Sequence, residues 1–384
     1  MESQTKAFRV VVIGGYGNFG SVIVRRLCTL AGVTVLIAGR DLARAEALAV
    51  QTGALATRLD TAEVGLAQRF VELAVDVVIS TAGPFQGQDY RVAEAAMAAR
   101  AHYIDLADGR QFVCGITALD AEAQRQGVLL CSGASSVPGL SAAVIDRLLP
   151  RFSRLDSINF GISSSEKTPG LSTLAGVLDY CGKPLQQWHA SAWRTVYGWQ
   201  GLRAYDFAAP LGRRWTINCD IPDLTLFPSR YPGVRSVRFS AGVGLRVTQA
   251  GTWLLSWLVR GRLLRSAVPL ARWLRRGAVL LERFGDGLSG MFVRLEGLDP
   301  EGRALLLRWE LIARGNDGPA IPCMAAVALV RKLLAGTLTT RGAMPCMGLL
   351  SQDEYLAELV GLRITAHDFE DTGAPHAEVV PASR

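Results

Sequence analysis

Three glycines spaced G-x-G-x-x-G, Gly15, Gly17 and Gly20, close the run Phe8-Arg9-Val10-Val11-Val12-Ile13 and open an amphipathic stretch through Ser21 to Leu30. A strand, a glycine turn and a helix in that order have a specific physical use. The first glycine makes the tight turn, the second lets an anion approach the backbone, and the third lets helix and strand pack closely. The anion then sits at the helix N-terminus, where backbone N–H groups are free to meet it. The motif by itself also fits a merely structural glycine turn. The strand-turn-helix context and the alternation that follows favour a dinucleotide, with Gly15, Tyr16, Gly17, Asn18, Phe19 and Gly20 around its pyrophosphate.

That alternation runs through the first 135 residues. Strands are predicted at 9–13, 33–38, 54–59, 76–80, 103–106 and 128–131, with Ala-rich amphipathic segments between them, as in a doubly wound parallel sheet. The near-continuous apolar runs Val33-Thr34-Val35-Leu36-Ile37 and Val77-Val78-Ile79 suit strands covered on both faces. With 384 residues, 49% of them hydrophobic and 20% charged, the chain has the composition of a globular protein of one large or two ordinary domains. Residues 1–135 read as the dinucleotide-binding domain. Beyond Pro138 a helix at 140–149 precedes strand-like runs at 155–162, 214–219, 235–239, 290–297 and 304–314, giving an α+β second domain over 136–317. The chain turns helical again over 318–370, and 371–384 reads as a tail.

Ligands on such sheets lie beyond the carboxyl ends of the strands. After the second strand, where a nicotinamide enzyme commonly places an acid on the ribose 2′-hydroxyl, stand Ala38, Gly39 and Arg40. Arginine there favours a 2′-phosphate, hence NADP over NAD. Asp41 keeps NAD open, although it also suits the N-cap of a helix from Leu42 to Thr52. Asp60, past the third strand, is placed to meet the adenine edge or to serve as a turn residue. Ala82, Gly83 and Pro84 follow the fourth strand, where the backbone can pass close to the nicotinamide. Tyr103, Asp105 and Asp108 are the titratable candidates for moving a proton; Asp105 has a second reading as an acceptor for loop backbone. Ser135 and Ser136 precede a helix starting near Pro138 and are candidates for substrate contact or simple capping. His102 stands at the opposite end of its strand and reads as structural, and His189 reads as part of an aromatic cluster with Trp188 and Trp193.

Taken together, Gly14-Gly15-Tyr16-Gly17-Asn18-Phe19-Gly20, Ala82-Gly83-Pro84-Phe85, the segment from His102 to Gly109 and the segment from Gly133 to Ser141 resemble the saccharopine dehydrogenase-like family. The resemblance is strongest over residues 8–146 and continues more loosely at 341–350. It implies a Rossmann domain, an inserted second domain with a mixed sheet, a C-terminal return onto the first domain, and NADP-linked oxidoreduction of a small molecule. The reaction expected is hydride transfer to or from a C=N or C=C bond. The alternative is an NADP(H)-binding sensor or scaffold without turnover. Residues 150–315 match no substrate signature, so the resemblance brings no substrate with it.

The 41 Lys and Arg exceed the 34 Asp and Glu by seven, yet only four are lysines, Lys6, Lys167, Lys183 and Lys332. Schiff-base chemistry therefore has few residues to use. Residues 246–284 hold eight arginines and one acid, Glu282, so this segment alone equals the net charge of +7. Trp253, Trp257 and Trp273 sit in the same stretch, which reads as a peripheral membrane contact, a mouth for an acidic substrate, or helices packing on the body or on a second subunit of a homodimer. Steps of 100° do not cleanly separate its arginines from its leucines. No nucleic-acid motif accompanies the charge. The apolar run 247–259 is too short to span a bilayer. Seven cysteines without a CxxC pair give no zinc or disulfide framework, and the polar start points to the cytoplasm. Cys131 reads as a buried small hydrophobe.

Overall fold

A computed structural model describes residues 7–165 and 170–371. The six N-terminal strands are β1 (Phe8–Ile13), β2 (Val33–Gly39), β3 (Leu55–Arg58), β4 (Val77–Ser80), β5 (His102–Asp105) and β6 (Leu129–Ser132). They pair in parallel in the order β3-β2-β1-β4-β5-β6, so the order reverses between β1 and β4. That reversal opens a crevice above the strand ends. Helices α1 (Asn18–Leu27), α2 (Leu42–Thr52), α3 (Leu66–Glu72), α4 (Arg91–Ala98), α5 (Arg110–Gly115) and α6 (Asp120–Gln126) cover the two faces. The reading of a doubly covered sheet holds in β1: Val10 and Val12 enter one core, Val11 and Ile13 the other. Helix α1 forms because Gly20, Ile23, Val24 and Leu27 recur at helical spacing and are buried together against the sheet.

After α7 (Ser141–Leu148) comes a second, mixed sheet. Its strands are β7 (Arg154–Ser164), β8 (Pro184–His189), β9 (Ala192–Tyr197), β10 (Arg203–Asp206), β11 (Arg213–Asn218), β12 (Ser236–Val243), β13 (Ser289–Leu298) and β14 (Ala304–Ala313). The main path runs β10-β11-β12-β7-β13-β14, with β8 and β9 attached to β12 as a hairpin. Strands β12 and β7 are parallel and their neighbours antiparallel. The hairpin turns on Ala190 and Ser191, both at positive φ (50° and 60°), the twist a two-residue hairpin requires. Helices α8 (Leu171–Asp179), α9 (Asp223–Arg230), α10 (Arg246–Arg260) and α11 (Ala271–Leu281) belong to this unit.

The chain end is more than a helical return. Helix α12 (Met324–Leu334), buried over most of its surface, packs on α1. Strand β15 (Gly342–Pro345) then pairs in parallel with β6 as a seventh strand of the first sheet. After α13 (Gln352–Ala357), β16 (Ile364–Asp371) goes back to the second sheet and pairs with β14. Both strands escaped the sequence reading for a physical reason. Gly342 and Pro345 bound one of them, and four acidic or His side chains interrupt the other, as edge strands tolerate. One continuous core reaches from Ile23 and Val24 through α12 to Trp309 in β14. Asp371, the first residue of the expected tail, ends β16; 372–384 and Lys167 lie outside the described residues.

Candidate functional site

The glycine loop is built as its spacing requires, with one shift of roles. Gly14, not Gly15, turns the chain, at φ +74°. A side chain on Gly15 would meet the Val12 carbonyl at 2.9 Å and Ile37 at 3.1 Å, so Gly15 serves close packing. Gly17 is the N-cap of α1 and has no side chain to satisfy the first amides of the helix. Ser21 N–H donates to the Gly17 carbonyl (2.9 Å), which leaves the N–H groups of Asn18, Phe19 and Gly20 ahead of the intrahelical ladder. Three amides converging without a capping side chain form a cradle that fits a phosphate group.

At the end of β2 the ring of Tyr16 lies on Gly39, where a Cβ would meet it at 2.5 Å. The Tyr16 hydroxyl accepts the Asp41 N–H at 3.1 Å, and the Arg44 guanidinium stacks on the ring at 4.7 Å. Arg40 is exposed beside them. Asp41 caps α2, its carboxylate accepting the Arg44 N–H at 3.1 Å. Arg44 was missed from sequence, although its place three residues into a capped helix points its first turn back toward the strand end. Asp60 accepts the Ala62 N–H at 3.1 Å and so forms the strand-end turn.

The three proton-transfer candidates separate. Tyr103 is fully buried in the core on the α4 side of the sheet, and burial, then the neighbouring Asp105, pushes its hydroxyl far up. Its hydroxyl meets the side chains of Asp105 and Ser80, the last residues of β5 and β4. Asp105 is also wholly buried; its Oδ1 accepts from Ala107 N–H (2.9 Å), Gly133 N–H (2.8 Å) and the Ser132 hydroxyl (3.0 Å). It ties the loops after β5 and β6 together, and burial raises its pKa to about 6. Asp108 alone of the three stands among groups from both units. It accepts from Gln86 Nε2 at 3.1 Å and is raised by burial.

Gln86 in turn lies under α8, since a side chain on Gly176 would come within 2.8 Å of its Oε1. At the end of that helix the Tyr180 hydroxyl and the Cys219 thiol are 2.6 Å apart. Burial holds the Tyr180 hydroxyl well above the ordinary range and the Cys219 thiol at about 12, with Asp108 close enough to add to both. Beside them Arg110 forms an ion pair with Asp220 at 2.7 Å, with little solvent contact. Tyr180, Cys219 and Asp220 were invisible from sequence because no spacing connects them to residue 108; only the packing of the second unit does.

Ala82, Gly83 and Pro84 line the rim above β4, where Gln88 Nε2 donates to the Ala82 carbonyl at 3.0 Å and the Pro84 carbonyl at 2.6 Å. The serines after β6 divide. Ser135 is half-buried, whereas Ser136 is buried beside Tyr355 of the C-terminal return. A helical turn over Ser136–Leu140, non-helical only at Val137, runs straight into α7, in keeping with a start near Pro138. His102 accepts the Leu129 N–H at 2.9 Å and burial lowers its pKa to about 4, as a structural residue. His189 is exposed at the β8–β9 turn, while Trp188 and Trp193 pair edge-to-face at 5.1 Å without it. Cys131 is fully buried. Among the described residues no three His, Cys, Asp or Glu groups are placed to hold a metal.

Residues 10–131 match the family described as saccharopine dehydrogenase NADP binding domain. The fold is similar to that of saccharopine dehydrogenase (L-Glu forming) from Saccharomyces cerevisiae, at 16% identity and a TM-score of 0.67 over 94% of this chain and 100% of that one. It is also similar to homospermidine synthase from Legionella pneumophila in complex with NAD, at 10% identity and a TM-score of 0.59 over 98% and 95%. No curated protein matches the sequence. The glycine cradle, the strand order and the match over residues 10–131 agree, and the first unit of the chain is similar to the saccharopine dehydrogenase NADP binding domain.

Proposed function

We propose that the chain is an NADP-dependent oxidoreductase that moves a hydride to or from a C=N or C=C bond of a small molecule. The observation that carries the cofactor choice is the end of β2. Arg44 stacks on the Tyr16 ring and Arg40 is exposed next to Gly39, while the Asp41 carboxylate is committed to capping α2, which supports cations and not a free acid as the partners of a 2′-phosphate. The amides of Asn18, Phe19 and Gly20 would hold the pyrophosphate. The cofactor, when bound, supplies or accepts the hydride. In titrations followed by fluorescence, NADPH is expected to bind tighter than NADH. Arg40→Ala with Arg44→Ala should weaken NADPH by about tenfold to a hundredfold, as loss of two charge-assisted contacts implies, and leave NADH nearly unchanged. Tighter NADH binding by the parent protein would overturn the NADP assignment.

At the other end of the crevice, Gln86 and Asp108 would orient the reacting group, and the Tyr180 hydroxyl would supply the proton. In the reducing direction the substrate carbon accepts the hydride, the π electrons move to the nitrogen or second carbon, and that atom takes the Tyr180 proton, which solvent replaces. Burial keeps the Tyr180 hydroxyl protonated and makes it a weak acid, so the transfer is driven by the charge that develops on the substrate atom as the hydride arrives. Tyr180→Phe is expected to lower kcat by about a hundredfold or more with KM little changed, read by NADPH oxidation over a panel of imines and enones. One observation favours the sensor reading: Asp108 and Tyr180 are already engaged by Gln86 and Cys219. NADPH binding without oxidation across the panel would support it.

A further inference from the structure

Residues 246–284 place an unusual surface on the second unit. Ten of the twenty large apolar side chains exposed among the described residues fall in this segment. On α10 the inner side is well seated: Ser256 and Val259 are buried, and a side chain on Gly182 would meet the Ser256 carbonyl at 2.4 Å. Its outer side carries Val247, Leu254 and Leu258, at i, i+7 and i+11, with Trp257 beside them, all exposed. Helix α11 buries only Ala271 and packs on α8.

The placement resolves what helical steps alone left mixed. Along α11 and the turn Glu282–Phe284, Trp273, Leu280 and Phe284 form one exposed stripe, again at i, i+7 and i+11. At about 100° per residue Arg272, Arg276 and Arg283 run along one edge of that stripe, and Glu282 lies on the opposite side of the helix. The guanidinium groups lie over the aromatic rings at its margin: Arg276 over Trp273 at 5.0 Å, Arg283 over Phe284 at 4.7 Å, and Arg260 over Trp257 at 5.0 Å. Rings flanked by cations are arranged for a boundary between hydrocarbon and phosphate, with the ring entering and the cation staying at headgroup level.

We propose that the face formed by α10 and α11 docks on a membrane surface bearing anionic lipid headgroups. Charge selects this occupant. A two-fold contact of the face with itself would set eight arginines and one acid against the same set, and like charges resist such pairing. An anionic lipid surface complements the arginines along the stripe, Arg272, Arg276 and Arg283. No helix among the described residues is long and apolar enough to cross a membrane, so the contact lies along the surface. The contact is independent of the reaction assigned to the crevice.

The test is co-sedimentation of the full chain with vesicles of phosphatidylcholine alone or mixed with phosphatidylglycerol, at low and high salt. The protein is expected to pellet with the mixed vesicles at low salt, to stay in solution with phosphatidylcholine alone, and to be released by high salt. Trp273→Ser with Phe284→Ser, and separately Arg272→Glu with Arg276→Glu, should each cut partitioning about tenfold or more. Their Tm values should stay near the parent, since all four side chains are exposed. Protein remaining in solution with anionic vesicles at low salt overturns the proposal, as does equal binding to phosphatidylcholine or an unchanged Arg→Glu variant. A dimer in light scattering that the Trp273→Ser, Phe284→Ser variant converts to a monomer would make the face a self-association surface and overturn it too.

Discussion

Gly20→Ala is expected to abolish measurable dinucleotide binding and to lower the stability of the whole nucleotide-binding unit. A Cβ at this position would lie 2.3 Å from the Gly14 carbonyl oxygen and 2.7 Å from the Gly15 Cα. Both are backbone atoms just past β1, held where Gly14 N–H donates to the Ala38 carbonyl (2.8 Å) and Gly15 N–H to the Val12 carbonyl (3.2 Å), so neither can yield like a flexible side chain. Helix α1 must lift instead, and Ile23, Val24 and Leu27, all fully buried, leave their seats with it. Overpacking of this kind costs about 1–3 kcal/mol. Moving the three open amides by even part of an ångström should cost at least about a hundredfold in NADPH affinity. Gly17→Ala is the comparison. Its Cβ would meet the Gly14 carbonyl at 3.1 Å, a small conflict, so Tm should hardly change while NADPH still weakens because the methyl enters the cradle. Thermal unfolding with NADPH fluorescence titration separates the two. Equal Tm losses for both variants would mean that the loop tolerates no side chain for structural reasons alone.

The contrast between these glycines shows where the sequence was legible. Local patterns carried their own physics: apolar runs gave β1, β2 and β4, the Asp41 cap gave the start of α2, and the glycine spacing placed α1. The role of Gly14 escaped because the spacing G-x-G-x-x-G fits only Gly15, Gly17 and Gly20, and only φ shows that the glycine before them makes the turn. Tyr180, Cys219 and Asp220 meet Asp108 through packing between units more than 70 residues apart, which no spacing encodes. Strand β15 was hidden for the same reason, since a four-residue edge strand becomes a strand only because β6 is already there to pair with it. The arginine-rich segment stood between: its charge was plain, but which way each helix turned its leucines depended on what covered it.

Asp105 is where the sequence reading and the structure lead to opposite experiments, and replacing it with alanine is expected to be among the most destabilising single changes in the chain. A carboxylate that transferred protons would be dispensable for folding. Here its Oδ1 holds two backbone N–H groups and the Ser132 hydroxyl in a site with no solvent contact. Alanine leaves three buried donors unmet, at about 1–3 kcal/mol each, so a loss of about 3–5 kcal/mol and disorder of the loops carrying Asp108 and Ser135 are expected. Asparagine keeps an oxygen in the same place and should stay within about 1 kcal/mol of the parent near neutral pH. The pH dependence gives a second readout. Burial raises the folded pKa of Asp105 to about 6, above the ordinary carboxylate value near 4. The folded state therefore holds this proton more tightly than the unfolded chain, and the stability that this provides is present at low pH and lost as pH rises through about 6. Denaturant titrations should show the parent gaining about 2–3 kcal/mol relative to Asp105→Asn between pH 7 and pH 4. Asp105→Ala that unfolds at the parental temperature would return Asp105 to the list of proton carriers. Asp105→Asn that follows the parent at every pH would mean that the carboxyl does not titrate in this range.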